Sequence, residues 1–164
     1  MFEPIEIIDD FLESSNFSEL QNVFLGAYIP WYYNKGINKP FSQNDLNDYQ
    51  FTHKIFEDNI IHSEIFSLTQ PILTKLDVKG LIRVKANLST KTDELSYFGI
   101  HTDTTFDCTT AIFYLNTNNG HTIVGEQKVE SVENRLVRFG SQTPHMGSTA
   151  TDAQVRVVLN FNYF

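Results

Sequence analysis

From Gly80 onward the chain is divided into short runs that favour extended backbone, and this punctuation restricts the folds open to it. Residues 81–88 alternate, with Arg83, Lys85 and Asn87 on one face and Ile82, Val84 and Ala86 on the other. Successive side chains of a strand point to opposite sides, so the run predicts a strand with one polar and one apolar face. Further strands are expected over 109–116, 121–124, 128–132, 135–139 and 155–161. Short strands recurring every 8–12 residues or so are typical of an antiparallel sandwich or barrel. Asn116-Thr117-Asn118-Asn119-Gly120 is a turn signal that closes the second of these runs.

The first half reads differently. A short strand is expected over 5–11, ending in Asp9-Asp10. Ser14-Ser15-Asn16 offer helix N-caps, with Glu19 placed as in a capping box. Phe17, Leu20, Phe24 and Ala27 follow at helical spacing, and Gly26 or Pro30 ends the segment. Residues 31–33 read as a strand and 34–48 as a surface loop. Ile61, Ile65, Leu68, Ile72 and Leu76 predict a second amphipathic helix, broken around Pro71. Helices followed by a run of strands imply a β-sandwich backed by helices. The expected fold is therefore mainly β with N-terminal helices, closed as a double-stranded jelly roll that leaves few free edges. The 164 residues suit one domain, with helical and strand support over 1–79 and the jelly-roll core over 80–164.

Composition narrows the partners. A net charge of −8 disfavours general affinity for nucleic acid or anionic membranes. No run approaches the ~20 apolar residues of a membrane-spanning helix, and Met-Phe-Glu-Pro-Ile-Glu lacks the basic start of a signal peptide. Cys108 is the single cysteine, so no internal disulfide can form and a reducing, cytoplasmic setting is expected.

Chemistry concentrates in a few polar residues of the β-rich half. His101-Thr102-Asp103 places an imidazole and a carboxylate on one side of an extended segment. His145 follows 42 residues after Asp103, far enough for several strands to run out and return. Two histidines and one carboxylate, with the remaining positions open, form the facial triad of non-haem Fe(II) oxygenases. Arg156 lies 11 residues past His145, inside the apolar run Val155-Arg156-Val157-Val158-Leu159. A guanidinium buried there needs an anionic partner, either a carboxylate of the chain such as Asp152 or Glu133, or a dicarboxylate ligand bound bidentately. Thr110 and Tyr114 share a strand face and could add hydroxyl donors to that ligand, and Asn87 an amide. His53, His62 and His121 read as structural or exposed, and Cys108 as a small buried hydrophobe. Ser141 and Ser148 flank His145 without suggesting a hydrolytic triad.

Taken together these residues resemble the Fe(II)/2-oxoglutarate-dependent dioxygenase superfamily, and within it the small prolyl 4-hydroxylase-like proteins, including those of phages and marine microbes. The resemblance runs through Arg83-Val84-Lys85-Ala86-Asn87-Leu88, His101-Thr102-Asp103, Thr110 to Asn116, Asn119-Gly120-His121-Thr122, Asn134 to Phe139, His145 and Arg156 to Phe161. Ile8-Asp9-Asp10-Phe11-Leu12 is similar to the family's opening strand. It implies that His101, Asp103 and His145 ligate iron and that Arg156 binds the distal carboxylate of 2-oxoglutarate. It also implies O2 as oxidant, ascorbate as an optional reductant, and hydroxylation of a peptidyl or small-molecule C–H bond with release of succinate and CO2. Leu88 replaces a common tyrosine, Gly120-His121-Thr122 replaces a Gly-Gly-Glu-Thr-like run, and Arg156 replaces the usual lysine. Those departures bear on substrate choice more than on cofactor chemistry. The alternatives are a cupin-like metalloenzyme that does not use 2-oxoglutarate, and a non-catalytic or virion-associated jelly-roll binding module.

Overall fold

Alternation along the C-terminal strand sets the layering of the molecule. In the computed structural model, which describes residues 4–35 and 48–164, this strand covers Val155–Tyr163. Its Val157, Leu159 and Phe161 are buried in a large cluster with Phe17, Leu20 and Phe24 of one helix and Ile72 and Leu73 of another. Its Val158 belongs to a second cluster on the opposite face. A period of two thus separates two apolar layers with one sheet between them.

In chain order the elements are β1 (Glu6–Ile8), α1 (Ser14–Leu25), β2 (Tyr32–Lys35), β3 (Tyr49–Glu57) and β4 (Ile60–Ile61). A 3-10 turn (Glu64–Thr69) then runs into α2 (Gln70–Lys75). There follow β5 (Leu81–Thr90), β6 (Thr109–Tyr114), β7 (His121–Val124), β8 (Gln127–Glu130), β9 (Leu136–Gly140), β10 (His145–Gly147) and β11 (Val155–Tyr163). The larger sheet has the order β1-β9-β6-β11-β5-β3-β2, with β4 paired to β3, and the smaller has β10-β7-β8. Ile112, Tyr114, Val137 and Phe139 of the larger sheet meet Val124 and Val129 of the smaller in the second cluster, so the sheets face each other. This is the expected jelly roll, with α1 and α2 backing the larger sheet. Among the described residues no helix is long and apolar enough to cross a membrane.

The differences from expectation have physical causes. α1 begins at Ser14 with Glu13 as its N-cap and without a side-chain cap, so the anticipated capping by Ser14-Ser15-Asn16 is not used. A long-range clamp sets this start. Asn134 accepts from Leu12 N through Oδ1 and donates to Leu12 O through Nδ2, both at 2.8 Å, while its own carbonyl accepts from Phe11 N. The anticipated second helix is split. Ile61 lies in β4, and Pro71 sits in the first turn of α2, where its missing N–H removes no helical bond.

β3 was not anticipated as a strand; residues 36–47 of the anticipated 34–48 loop lie outside the described residues. β3 pairs with β5 along most of its length, so the N-terminal half extends the main sheet instead of only supporting it. The register shifts between Lys54 and Phe56, a bulge that reverses which side chains face inward. Before it Gln50, Thr52 and Lys54 face the interior cavity; after it Glu57 does. The Asn-rich segment 116–120 is not a hairpin turn, because β6 and β7 belong to different sheets.

Candidate metal centre

His101 and His145 meet through an isolated antiparallel bridge, His101 N to His145 O at 3.0 Å and His145 N to His101 O at 2.9 Å. Residues 101–103 form no strand beyond this bridge, which holds His101, and Asp103 N donates to Ser141 O at 3.0 Å. The imidazoles are consequently adjacent, with ring centroids 4.3 Å apart, and Phe139 packs edge-on against His145. Each Nδ1 faces a carbonyl, Gly99 O at 3.1 Å and Thr143 O at 3.0 Å. A proton on each Nδ1 leaves the Nε2 lone pairs free. Each Nε2 lies 3.8 Å from Asp103 Oδ1, and the available ligand atoms of all three residues lie within 4.8 Å of one another. First-shell bonds near ~2 Å require ligand atoms about this close. The donor set fits a divalent transition metal of the iron type, with protein ligands on one side only.

The carboxylate is held by a dense set of donors. Asp103 Oδ2 accepts from Thr110 Oγ1 at 2.8 Å and from Asn162 Nδ2 at 2.9 Å, and Oδ1 accepts from Arg83 Nη2 at 3.1 Å. Burial by itself would raise its pKa, but His145, the Asn162 amide, the Arg83 guanidinium and the Thr110 hydroxyl outweigh that and hold it at about 2. Burial, reinforced by His145, lowers the pKa of His101 and so favours the neutral imidazole a metal requires. Thr110, expected among the co-substrate donors, is fully buried behind Asp103 with its hydroxyl committed to that carboxylate.

Arg156 enters the interior from the next register of β11. It is 4 % exposed, donating from Nε to Ser131 Oγ at 2.8 Å and from Nη2 to Thr122 Oγ1 at 2.9 Å. Its Cζ lies 5.6 Å from the centre of the Tyr114 ring, and Tyr114 OH also donates to Thr122 Oγ1, at 2.8 Å. Burial lowers its pKa and Tyr114 opposes the shift; among the described residues no carboxylate contributes. Asp152 instead accepts from Asn119 N and Glu133 from Gln21, so neither supplies the anion. Tyr114 therefore supports the guanidinium and Thr122 from beneath. Gly120 creates the space Arg156 occupies, because a Cβ there would come within 2.7 Å of Arg156 Cδ and 2.6 Å of Thr149 O.

A cavity of about 580 Å³ is bordered by His101, Asp103 and His145 and also by Arg156. Asn87 lines it, with a buried Oδ1 that has no hydrogen-bond partner among the described residues. Arg83, Lys85 and Thr122 line it too, as does the inward face of β3. None of these had been singled out from sequence, although the alternation of 81–88 had already put Arg83 and Lys85 on Asn87's face. The remaining histidines stand apart: His53 bridges Pro30 O and Ser63, His121 meets Tyr97 OH at 3.0 Å, and His62 is exposed. Cys108 is buried, its Sγ 3.7 Å from Thr104 Oγ1.

No protein-family model and no curated protein sequence matches the chain. Solved structures do. A prolyl hydroxylase from Trichoplax adhaerens, in complex with a hypoxia-inducible-factor peptide fragment, is 18% identical with a TM-score of 0.67, covering 98% of this chain and 83% of that one. A 2OG-Fe(II) oxygenase family oxidoreductase from Burkholderia pseudomallei is 14% identical with a TM-score of 0.67, covering 97% and 84%. The epimerase SnoN from nogalamycin biosynthesis, in complex with Fe3+, alpha ketoglutarate and nogalamycin RO, is 13% identical with a TM-score of 0.65, covering 98% and 78%. At these identities the likeness shows a shared fold.

Proposed function

We propose that the chain is a non-haem Fe(II)- and 2-oxoglutarate-dependent oxygenase that hydroxylates a C–H bond of a peptidyl or small-molecule substrate, releasing succinate and CO2. His101, Asp103 and His145 hold the metal in this reading, and Arg156 takes the distal carboxylate of 2-oxoglutarate. The observation that carries it is one cavity bordered both by a two-histidine, one-carboxylate triad and by a buried guanidinium without a carboxylate partner among the described residues. A buried cation of that kind calls for an anion, and a fork of donors suits a carboxylate. The shared fold with 2OG-Fe(II) oxygenase structures adds support.

Bound Fe(II), 2-oxoglutarate and O2 supply the oxidising chemistry, in which decarboxylation to succinate is coupled to oxygen insertion. The chain supplies orientation. The Gly99 and Thr143 carbonyls fix both imidazoles with Nε2 toward the cavity. Thr110, Asn162 and Arg83 keep Asp103 ionised and still. Ser131 and Thr122 aim the guanidinium, and Tyr114 holds Thr122 in place. Asn87 reaches the same cavity wall, where its amide Nδ2 can donate to a 2-oxoglutarate oxygen and its Oδ1 can accept only from a donor on the substrate. A reducing, cytoplasmic setting suits both Fe(II) and the free Cys108.

The test is succinate release under Fe(II), O2 and 2-oxoglutarate, measured beside Fe(II) binding. Wild-type protein should bind about one Fe(II) and turn over 2-oxoglutarate slowly even without primary substrate. His145→Ala should lose both while keeping its circular dichroism spectrum. Iron bound equally well by that variant would remove the triad, and iron binding without succinate release would leave a cupin-like metalloprotein.

A further inference from the structure

The cavity carries more positive charge than the proposed co-substrate can use. In a chain of net charge −8, the described residues of its wall include Lys54, Arg83, Lys85 and Arg156 against the carboxylates Glu57 and Asp103. On the proposed function, on which this step rests, Fe(II), Asp103, the 2-oxoglutarate dianion and Arg156 form a neutral set. Among the described residues, Glu57 is then the carboxylate that faces the cations of β3 and β5.

Lys85 is the centre of that surplus. In β5 it is flanked on one side by Lys54 of β3 and on the other by Asn160 of β11. Lys54 is paired with Glu57, and Arg83 leans on Asp103. Lys85 is half-buried and makes no side-chain hydrogen bond or ion pair with the described residues. An ammonium shielded from water without a partner is unfavourable, so a cavity that keeps one there is built for an anion. Asn87, on the same face of β5, and Asn160, its neighbour on β11, line the same floor; their Oδ1 atoms lack a partner among the described residues and call for a donor, so the anion is left to Lys85. The position lies on the metal side of the cavity, since Arg83, two residues away on the same face, touches Asp103 itself. At about 580 Å³ the space is of small-molecule size.

We infer that the primary substrate is a small anionic molecule whose carboxylate or phosphate group is held by Lys85, with Lys54 and Arg83 flanking it, close to the metal. The anion sets the distance between the charged group and the C–H bond that faces the triad. Arg156 selects the co-substrate and Lys85 the substrate, from two places on the same sheet wall, since Arg156 pairs with Ser89, four residues along β5 from Lys85.

The experiment uses wild-type protein, Lys85→Met and Arg156→Met, each held anaerobically with Fe(II). Met keeps the length of Lys85 and removes a charge that makes no hydrogen bond or ion pair with the described residues, so that variant should fold. The charge-transfer absorption first reports 2-oxoglutarate binding. Calorimetry of the 2-oxoglutarate complex then compares butanoate, its neutral isostere butanamide, and inorganic phosphate. Butanoate or phosphate should bind wild type at least about tenfold more tightly than butanamide, and Lys85→Met should erase that preference. Whichever anion binds tighter identifies the group. Affinity of Lys85→Met for 2-oxoglutarate should stay within about threefold of wild type. Equal binding of butanoate and butanamide overturns the proposal. So does a loss of 2-oxoglutarate affinity in Lys85→Met as large as in Arg156→Met, because Lys85 would then serve the co-substrate. Absence of a charge-transfer band in wild type would sink the oxygenase reading instead. The anion preference is therefore also measured on metal-free protein, where it stands or fails by itself.

Discussion

Arg156 is the side chain whose surroundings are most specific. Its neighbours are neutral donors and acceptors and an aromatic face, an environment that tolerates a cation only when an anion arrives. Arg156→Met should weaken 2-oxoglutarate binding by roughly 30-fold to 1000-fold, the worth of a charge-assisted pair of about 2–4 kcal/mol, while Fe(II) still binds. Anaerobic titration gives the comparison, and equal dissociation constants would take Arg156 out of the site. Gly120→Ala reaches the same residue from behind. Its Cβ would meet the Thr149 carbonyl, Arg156 Cδ and Asn118 Oδ1, all closer than 3 Å. The backbone carbonyl has little room to give, so Arg156 should shift. Stability should fall by about 1–3 kcal/mol and 2-oxoglutarate affinity with it. A variant with normal affinity would show that the guanidinium is not positioned by this contact. Thr110→Val acts on the metal side. It deletes the donor to Asp103 and the acceptor of Asn162, and it should weaken Fe(II) binding about 10-fold to 100-fold with 2-oxoglutarate affinity of the iron-loaded protein little changed.

At the scale of elements, the entrance to α1 is fixed from across the fold. Asn134 adopts φ 59° before β9 and clamps Leu12 through both ends of its amide. That clamp orders the chain between β1 and α1, and it explains why the helix starts without the serine cap its sequence offers. Asn134→Ala should cost about 2–4 kcal/mol, from buried Leu12 groups left unpaired and a left-handed backbone that alanine disfavours. Urea unfolding measures it, and Asn134→Gly separates the terms because glycine keeps the backbone and loses only the amide. Identical losses in the two variants would mean that backbone conformation contributes nothing. β3 teaches a second lesson. Its bulge lets one strand send Gln50, Thr52 and Lys54, and then Glu57, into the same cavity.

For the molecule as a whole, the triad and Arg156 sit between two sheets, and ligands bound there link β5, β10 and β11. Binding to the folded state alone stabilises it by mass action. Fe(II) and 2-oxoglutarate, each at about 100 times its dissociation constant, should add about 2.7 kcal/mol apiece, which is roughly 5–10 °C per ligand in a domain of this size. A chelator should reverse the metal's share. Anaerobic thermal melts with and without each ligand test this, and an unmoved Tm would argue that nothing binds between the sheets.

How much of this could be read beforehand follows from the range of the forces involved. Alternation in 81–88, 109–116 and 155–161 is a local property of side-chain direction, and it put β5, β6 and β11, with their polar and apolar faces, in the sequence itself. The grouping of His101, Asp103, His145 and Arg156 was legible for a different reason: few chemistries need those residue types in that order. What lay beyond the sequence depends on neighbours distant along the chain. Thr110 and Tyr114 shared a face as expected, yet their hydroxyls are taken by Asp103 and Thr122, partners fixed by the pairing of β6 with β11 and the stacking of β7 above it. Lys85 gained its meaning only when β3, itself unforeseen, brought Lys54 beside it. Local sequence determined which residues could form strands and which faces they would show; tertiary pairing decided which polar groups would satisfy one another and which would be left facing the cavity.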